Sequence, residues 1–239
     1  MRAELTPAKQ SHSVAHAVST AVLTDTDRIF TQDDFSHLPR TAVSLALSRL
    51  AKSGALLRVA RGVYFRPRNT VIGASAPKQH SVEMTLLKGA RPTGLTAAVI
   101  LGFSTQQPST PTYAVPSRDE VTRLKGVKLV RMRPDHDLSP EDGALLEFIR
   151  DRGKWSELGD RQTIDKLKAL LKDKDRFNRL AAAAATEPPR VRALLGAIGE
   201  LTHAPKPTIQ RLHKSLNPTT RFDFGLLKSL PNAKLWNSK

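Results

Sequence analysis

Between Thr41 and Arg66 the spacing of apolar residues changes period once, and that change constrains the local fold more than any other feature of the chain. Val43, Ala46, Leu47 and Leu50 recur at three and four residues, the period of one helix face, and Gly54 is a stop signal, so a helix is expected over 41–53. Beyond it, the runs 56–60 and 63–66 are short, rich in Leu, Val, Tyr and Phe, and separated only by Arg61-Gly62. Gly62 supplies the positive φ that a tight turn needs, so the expectation is a hairpin directly after the helix.

The residues upstream complete a small domain. Val14, Ala17, Val18, Ala21 and Val22 predict a first helix over 13–23. Thr31 with Asp34 three residues later is a capping arrangement that opens a short second helix, and Pro39 bars its continuation into the third. Three helices followed by a basic hairpin is the order of a winged helix-turn-helix, placed here over residues 11–70.

The outer face of the third helix is unusual. At 100° per residue Thr41, Ser44, Leu45, Ser48 and Lys52 lie opposite the apolar stripe, and small hydroxyls replace the long charged side chains that normally solubilise such a face. Small residues let a helix enter a groove, and Arg40 and Arg49 flank the strip as phosphate-reaching groups. From Arg40 to Arg68 the chain carries Arg40, Arg49, Lys52, Arg58, Arg61, Arg66 and Arg68 and no acid, within a protein of 38 Lys and Arg against 22 Asp and Glu, net +16. Such an imbalance attracts polyanions, and double-stranded DNA is the expected partner. The expected contact set is Arg40, Thr41, Ser44, Leu45, Ser48, Arg49 and Lys52 on the helix, with Arg58, Arg61, Tyr64 and Arg66 on the hairpin. Tyr64 has two readings, a phosphate donor or a cover for the hairpin.

Other classes find little support. The chain has no Cys, which removes thiolate metal sites and cysteine nucleophiles, and it lacks a phosphate loop, a dinucleotide fingerprint, an HExxH pair and a nucleophile elbow. His12 and His16 have helical metal spacing but no carboxylate to complete a site, and Asp135-His136-Asp137 are neighbours whose side chains diverge. The expectation is a binding protein, neither an enzyme nor a holder of metal or cofactor, and with no apolar run of membrane length and no leader it is expected to be cytoplasmic with no membrane partner.

The strings 29–35 (IFTQDDF), 42–50 (AVSLALSRL) and 54–64 (GALLRVARGVY) resemble the winged helix of AbiEi-like antitoxins, and 91–108 resembles the segment that follows it in that family. The resemblance implies a protein that represses its own operon and opposes a nucleotidyltransferase-like toxin, directly or indirectly. The alternatives are a stand-alone repressor, or an RNA- or protein-binding module acting at the toxin's RNA target.

The overall expectation is an α+β chain: the winged helix, a polar linker over 69–79, and a mixed α/β domain over 80–239 ending in helices. Thr93 or Thr96 is expected to cap a helix ended by Gly102, with anion binding at that start as the less favoured reading. Residues 112–115 read as a strand, and 121–125 with 127–132 as a hairpin about Gly126. On that hairpin and just before it, Arg118, Arg123, Lys125, Lys128, Arg131 and Arg133 could extend a nucleic-acid track. A helix is expected over 138–150, then short antiparallel helices from Asp160 onward, in a region with 18 basic and 9 acidic residues over 151–239. The tail, with Phe222, Phe224, Leu226, Leu227 and Trp236, is expected to dock on its own domain more readily than on a partner.

Overall fold

The computed structural model describes residues 13–87, 89–116, 126–131 and 138–239. It is a mixed α+β chain with small sheets and a helical C-terminal region. It divides into two compact units, Met1–Lys88 and Gly89–Lys239.

In the first unit, α1 (Val14–Thr24) begins at Ser13, whose side chain accepts a hydrogen bond from the His16 backbone N–H. A three-residue strand, β1 (Arg28–Phe30), follows, and the Thr31–Asp34 capping box then opens a single 3-10 turn, Gln32–Phe35. α2 (Arg40–Lys52) starts after Pro39 and closes through Gly54 at φ 79°. β2 (Leu57–Ala60) and β3 (Val63–Arg66) form the hairpin, with Gly62 at φ 76° in its turn. The sheet order β1-β3-β2 makes β3 the central strand, antiparallel to both neighbours. Val18, Val22, Phe30, Phe35, Val43, Ala46, Leu47, Leu56 and Tyr64 form the core, and Leu50 packs against it.

Two departures from the expected pattern lie in this unit. β1 was not foreseen as a strand; its register is set by β3, with Ile29 opposite Phe65. The span 69–79 is not a plain linker: β4 (Asn69–Thr70) and β5 (Gly73–Ala74) pair as a small antiparallel ribbon, and α3 (Gln79–Leu86) belongs to the first unit.

The second unit is organised around α5 (Pro140–Arg150) and α8 (Pro189–Leu201), whose residues 142–149 and 193–199 are buried. Around them lie α4 (Gly94–Ile100), α6 (Asp160–Leu170), α7 (Lys174–Ala183) and α9 (Lys206–Lys214). The Phe103 and Phe148 rings stack at 4.0 Å between centroids. A small sheet, β6 (Arg91–Pro92), β7 (Thr112–Val115) and β8 (Lys128–Arg131), runs antiparallel between β6 and β7 and parallel between β7 and β8. The expected hairpin about Gly126 falls partly on 121–125, outside the described residues. Its described half, β8, pairs with β7. The tail docks on its own unit as expected: Phe222, Phe224, Leu227 and Trp236 join the core, and Trp236 Nε1 donates to Glu200 at 2.9 Å.

One ionic cluster is buried in this unit. Arg91, 2% exposed, lies 3.7 Å from Glu147 and 3.5 Å from Glu187, and Arg150 reaches the same two carboxylates at 3.4 and 3.5 Å. Burial pushes the Glu147 carboxyl above its ordinary range, against the opposing pull of Arg91 and Arg150. Arg91 crosses α5 at Gly143, where a Cβ would sit 2.7 Å from its Cγ.

Candidate nucleic-acid interface

α2 presents two faces. Val43, Ala46 and Leu47 are buried, while Arg40, Thr41, Leu45, Arg49 and Lys52 are exposed and Ser44 and Ser48 are half-exposed. Thr41, Leu45, Ser48 and Lys52, at steps of four, three and four, form one outward stripe. Leu45 is 53% exposed, an apolar side chain on the water side with hydroxyls for neighbours.

The hairpin divides its residues differently from the sequence expectation. Arg58 and Arg61 are exposed. Tyr64, 5% exposed, packs in the core, so of its two readings the covering one fits the structure and the ring is withdrawn from the candidate surface. The cause is topological: β3 is central and is buried on both faces at Val63, Tyr64 and Phe65. Arg66 is also corrected. Its Nη1 donates to the Ala55 carbonyl at 2.7 Å and its Nε is buried, so the side chain braces the hairpin against the turn after α2.

The charges segregate. Asp25, Asp27, Asp33 and Asp34 precede α2, and each is spent locally: Arg28 pairs with Asp25 and Asp34, Arg68 with Asp27 at 3.1 Å, and Arg40 with Asp33 at 3.1 Å. The hydrogen bond to Asp25 is the main reason that the Arg28 guanidinium is held above its ordinary value. No acid occurs from Phe35 to Val82. Among the described residues Arg49, Lys52, Arg58 and Arg61 have no carboxylate partner. Arg49 and Lys52 also complement the negative end of the α2 dipole, but that account does not extend to the hairpin cations.

Of the further cationic track, Lys128 is exposed on β8. Arg118, Arg123, Lys125 and Arg133 lie outside the described residues, as do His12 and Asp135-His136-Asp137. No helix among the described residues is long and apolar enough to cross a membrane, and no group of three or more His, Asp or Glu among them could hold a metal ion.

A family of unknown function, DUF6088, matches residues 22–121, a span that contains the whole acid-free stretch. No curated protein matches the chain. Among solved structures, the crystal structure of the RV2827C protein from Mycobacterium tuberculosis is similar at 15% identity and a TM-score of 0.42, covering 87% of this chain and 84% of that one.

Proposed function

We propose that the N-terminal unit is a winged helix-turn-helix that binds duplex DNA, with α2 in the major groove and the β2–β3 hairpin as the wing over the backbone. The observation that carries this reading is the outward stripe of Thr41, Leu45 and Ser48, with Arg49 and Lys52 on the same helix and Arg58 and Arg61 exposed on the hairpin, all four without a carboxylate partner among the described residues. Hydroxyls exchange hydrogen bonds with base edges, Leu45 suits a thymine methyl, and the guanidinium and ammonium groups suit phosphates. A helix face built only for solvent would carry Lys and Glu where these residues stand.

On this reading the protein is a transcriptional regulator rather than an enzyme. Its likeness to AbiEi-type antitoxins extends the proposal to repression of its own operon and antagonism of a nucleotidyltransferase-like toxin through the second unit. A toxin-like reading frame beside its own gene supports that extension; without one, the proposal is a stand-alone repressor.

The test is binding to labelled duplexes tiled across the DNA upstream of its own gene, with shuffled duplexes as controls. One tile should bind about a thousandfold tighter than the controls. If about six phosphates are contacted, log K should fall against log salt with a slope of roughly −5. Equal affinity for all tiles and controls, with no salt dependence, contradicts the proposal.

A further inference from the structure

The β4–β5 ribbon breaks a local rule at its tip. Two residues join its strands, positions where Gly, Asn, Asp, Pro and Ser are normally found because they fit the turn and face water. Here they are Val71 and Ile72, 107% and 99% exposed, both β-branched and both bare. A ribbon with two residues per strand has little stability of its own, so this one is fastened at its foot. The Arg68 N–H donates to Ser75 Oγ at 2.8 Å, and the Ser75 N–H returns a bond to the Arg68 carbonyl at 2.9 Å. Ser75 Oγ donates in turn to the Asp27 carboxylate, which also pairs with Arg68. Asp27 is itself in the left-handed region at φ 57°, and its N–H donates to the Arg66 carbonyl at 2.8 Å. The aliphatic pair is thus held out on an anchored stalk rather than left on a loose loop.

Resting on the DNA reading above, we infer that the Val71-Ile72 tip is an apolar wedge that enters the minor groove of the bound duplex and partly unstacks a base step. Proteins that open the minor groove insert aliphatic side chains between bases while cations beside them hold the phosphates. The ribbon has those surroundings. It lies inside the stretch from Phe35 to Val82 that has no acid, it follows the wing strand directly, and Arg68 and Lys78 at its two feet are exposed. The feet carry two cations, Arg68 and Lys78, against one carboxylate, Asp27, which is paired with Arg68, so an apolar protein surface would satisfy the two side chains equally but would gain less from the net positive charge beside them. A polyanion whose interior is apolar satisfies both.

The experiment uses the full chain and the tile that it binds best, with 2-aminopurine substituted for each adenine in turn. The wild-type protein should raise the fluorescence at one step as that base unstacks. The double variant Val71→Ser/Ile72→Ser should abolish the rise, weaken binding by about tenfold to a hundredfold and leave the salt slope unchanged. Because both side chains are bare, its thermal unfolding should match wild type. Val71→Leu/Ile72→Met, which keeps an apolar tip, should retain both affinity and fluorescence. Tight binding of the tile with no fluorescence change at any step, and unaltered affinity in the serine variant, would overturn the wedge while leaving the DNA reading intact. Loss of self-association in the serine variant, with DNA affinity unaltered, would overturn it in favour of a contact between copies. Failure of the wild-type protein to bind any tile would remove the DNA reading, and the wedge with it.

Discussion

The guanidinium of Arg66 donates to the carbonyl of Ala55 across the root of the hairpin, at 2.7 Å. That bond ties the last residue of the central strand to the turn that closes α2, so the helix and the hairpin are joined by a cation already engaged within the chain. Arg61, at the hairpin turn, has the opposite character: exposed and without a carboxylate partner among the described residues.

The two arginines should therefore fail differently. Arg66→Met leaves the Ala55 carbonyl without its donor and should destabilise the first unit by roughly 1.5–3 kcal/mol, the range for hydrogen bonds to charged groups. Its DNA affinity should fall with the salt slope unchanged. Arg61→Ala should leave stability within about 0.5 kcal/mol of wild type and reduce the slope by about 0.9, one phosphate contact. Thermal unfolding and a salt titration of each variant separate the two roles; a reduced slope in Arg66→Met would return that residue to the contact surface.

Packing of the tail gives a prediction for the second unit. A Cβ placed at Gly196 would overlap the Trp236 ring, and one at Gly199 would overlap Phe177. Ala is favoured over Gly in a helix by roughly 1 kcal/mol, whereas overpacking a rigid core costs about 1–3 kcal/mol. With a backbone-attached carbon against an indole, the second effect should win, so Gly196→Ala should lower stability by about 1–2 kcal/mol and make the buried Trp236 more accessible to fluorescence quenchers. Trp236→Ala should cost about 3–5 kcal/mol. A stabilised Gly196→Ala would mean that the tail does not pack on α8.

Glu147 predicts a pH dependence. Its carboxyl is raised by burial, so between the ordinary glutamate value of about 4.3 and its higher folded value the native state holds more protons than the unfolded state. Stability of the second unit should therefore fall as pH rises through that window. Glu147→Gln keeps an acceptor for Thr93, which donates to Glu147 at 3.2 Å, and should flatten this part of the profile. The Asp223 carboxyl is held low, chiefly by the Gly225 N–H, and acts in a separate, more acid window, where stability is lost as pH falls through its folded value. Chemical denaturation from about pH 2 to pH 8 reads both; an unchanged slope above about pH 4.5 in Glu147→Gln would remove the assignment.

The features legible in the sequence are those with local causes. Thr31 and Asp34 form the capping box that their spacing announces, although Thr93, at the N-cap of α4, makes no capping side-chain bond; Gly54 and Gly62 take the positive φ that their turns require, and the apolar period of α2 separates its buried face from its outward one. What escaped depends on partners distant in the chain. β1 is three residues long and is defined by pairing with β3, as Arg28 opposite Arg66 shows. Tyr64 alternates correctly for a half-exposed strand, but a central strand buries both faces. Arg66 looks like every other arginine of the basic block until Ala55 is placed beside it. The Arg91 cluster joins residues 56 and 96 positions downstream, Glu147 and Glu187, and no sequence window contains all three. The ribbon was hidden because Pro, Gly and Ser around it read as a linker, although the Val71-Ile72 pair within it was the anomaly.

The most direct measurement of the central claim is the affinity of Ser44→Glu for the preferred upstream duplex, beside wild type and a shuffled duplex. Ser44 is half-exposed on the outward side of α2, so the change should be tolerated by the fold, while a carboxylate there would meet acceptor-rich base edges and phosphates. Specific binding should drop at least about a hundredfold, bringing the preferred duplex close to the shuffled one. Wild-type affinity and preference in Ser44→Glu would contradict the placement of α2 in the groove, and with it the proposed function.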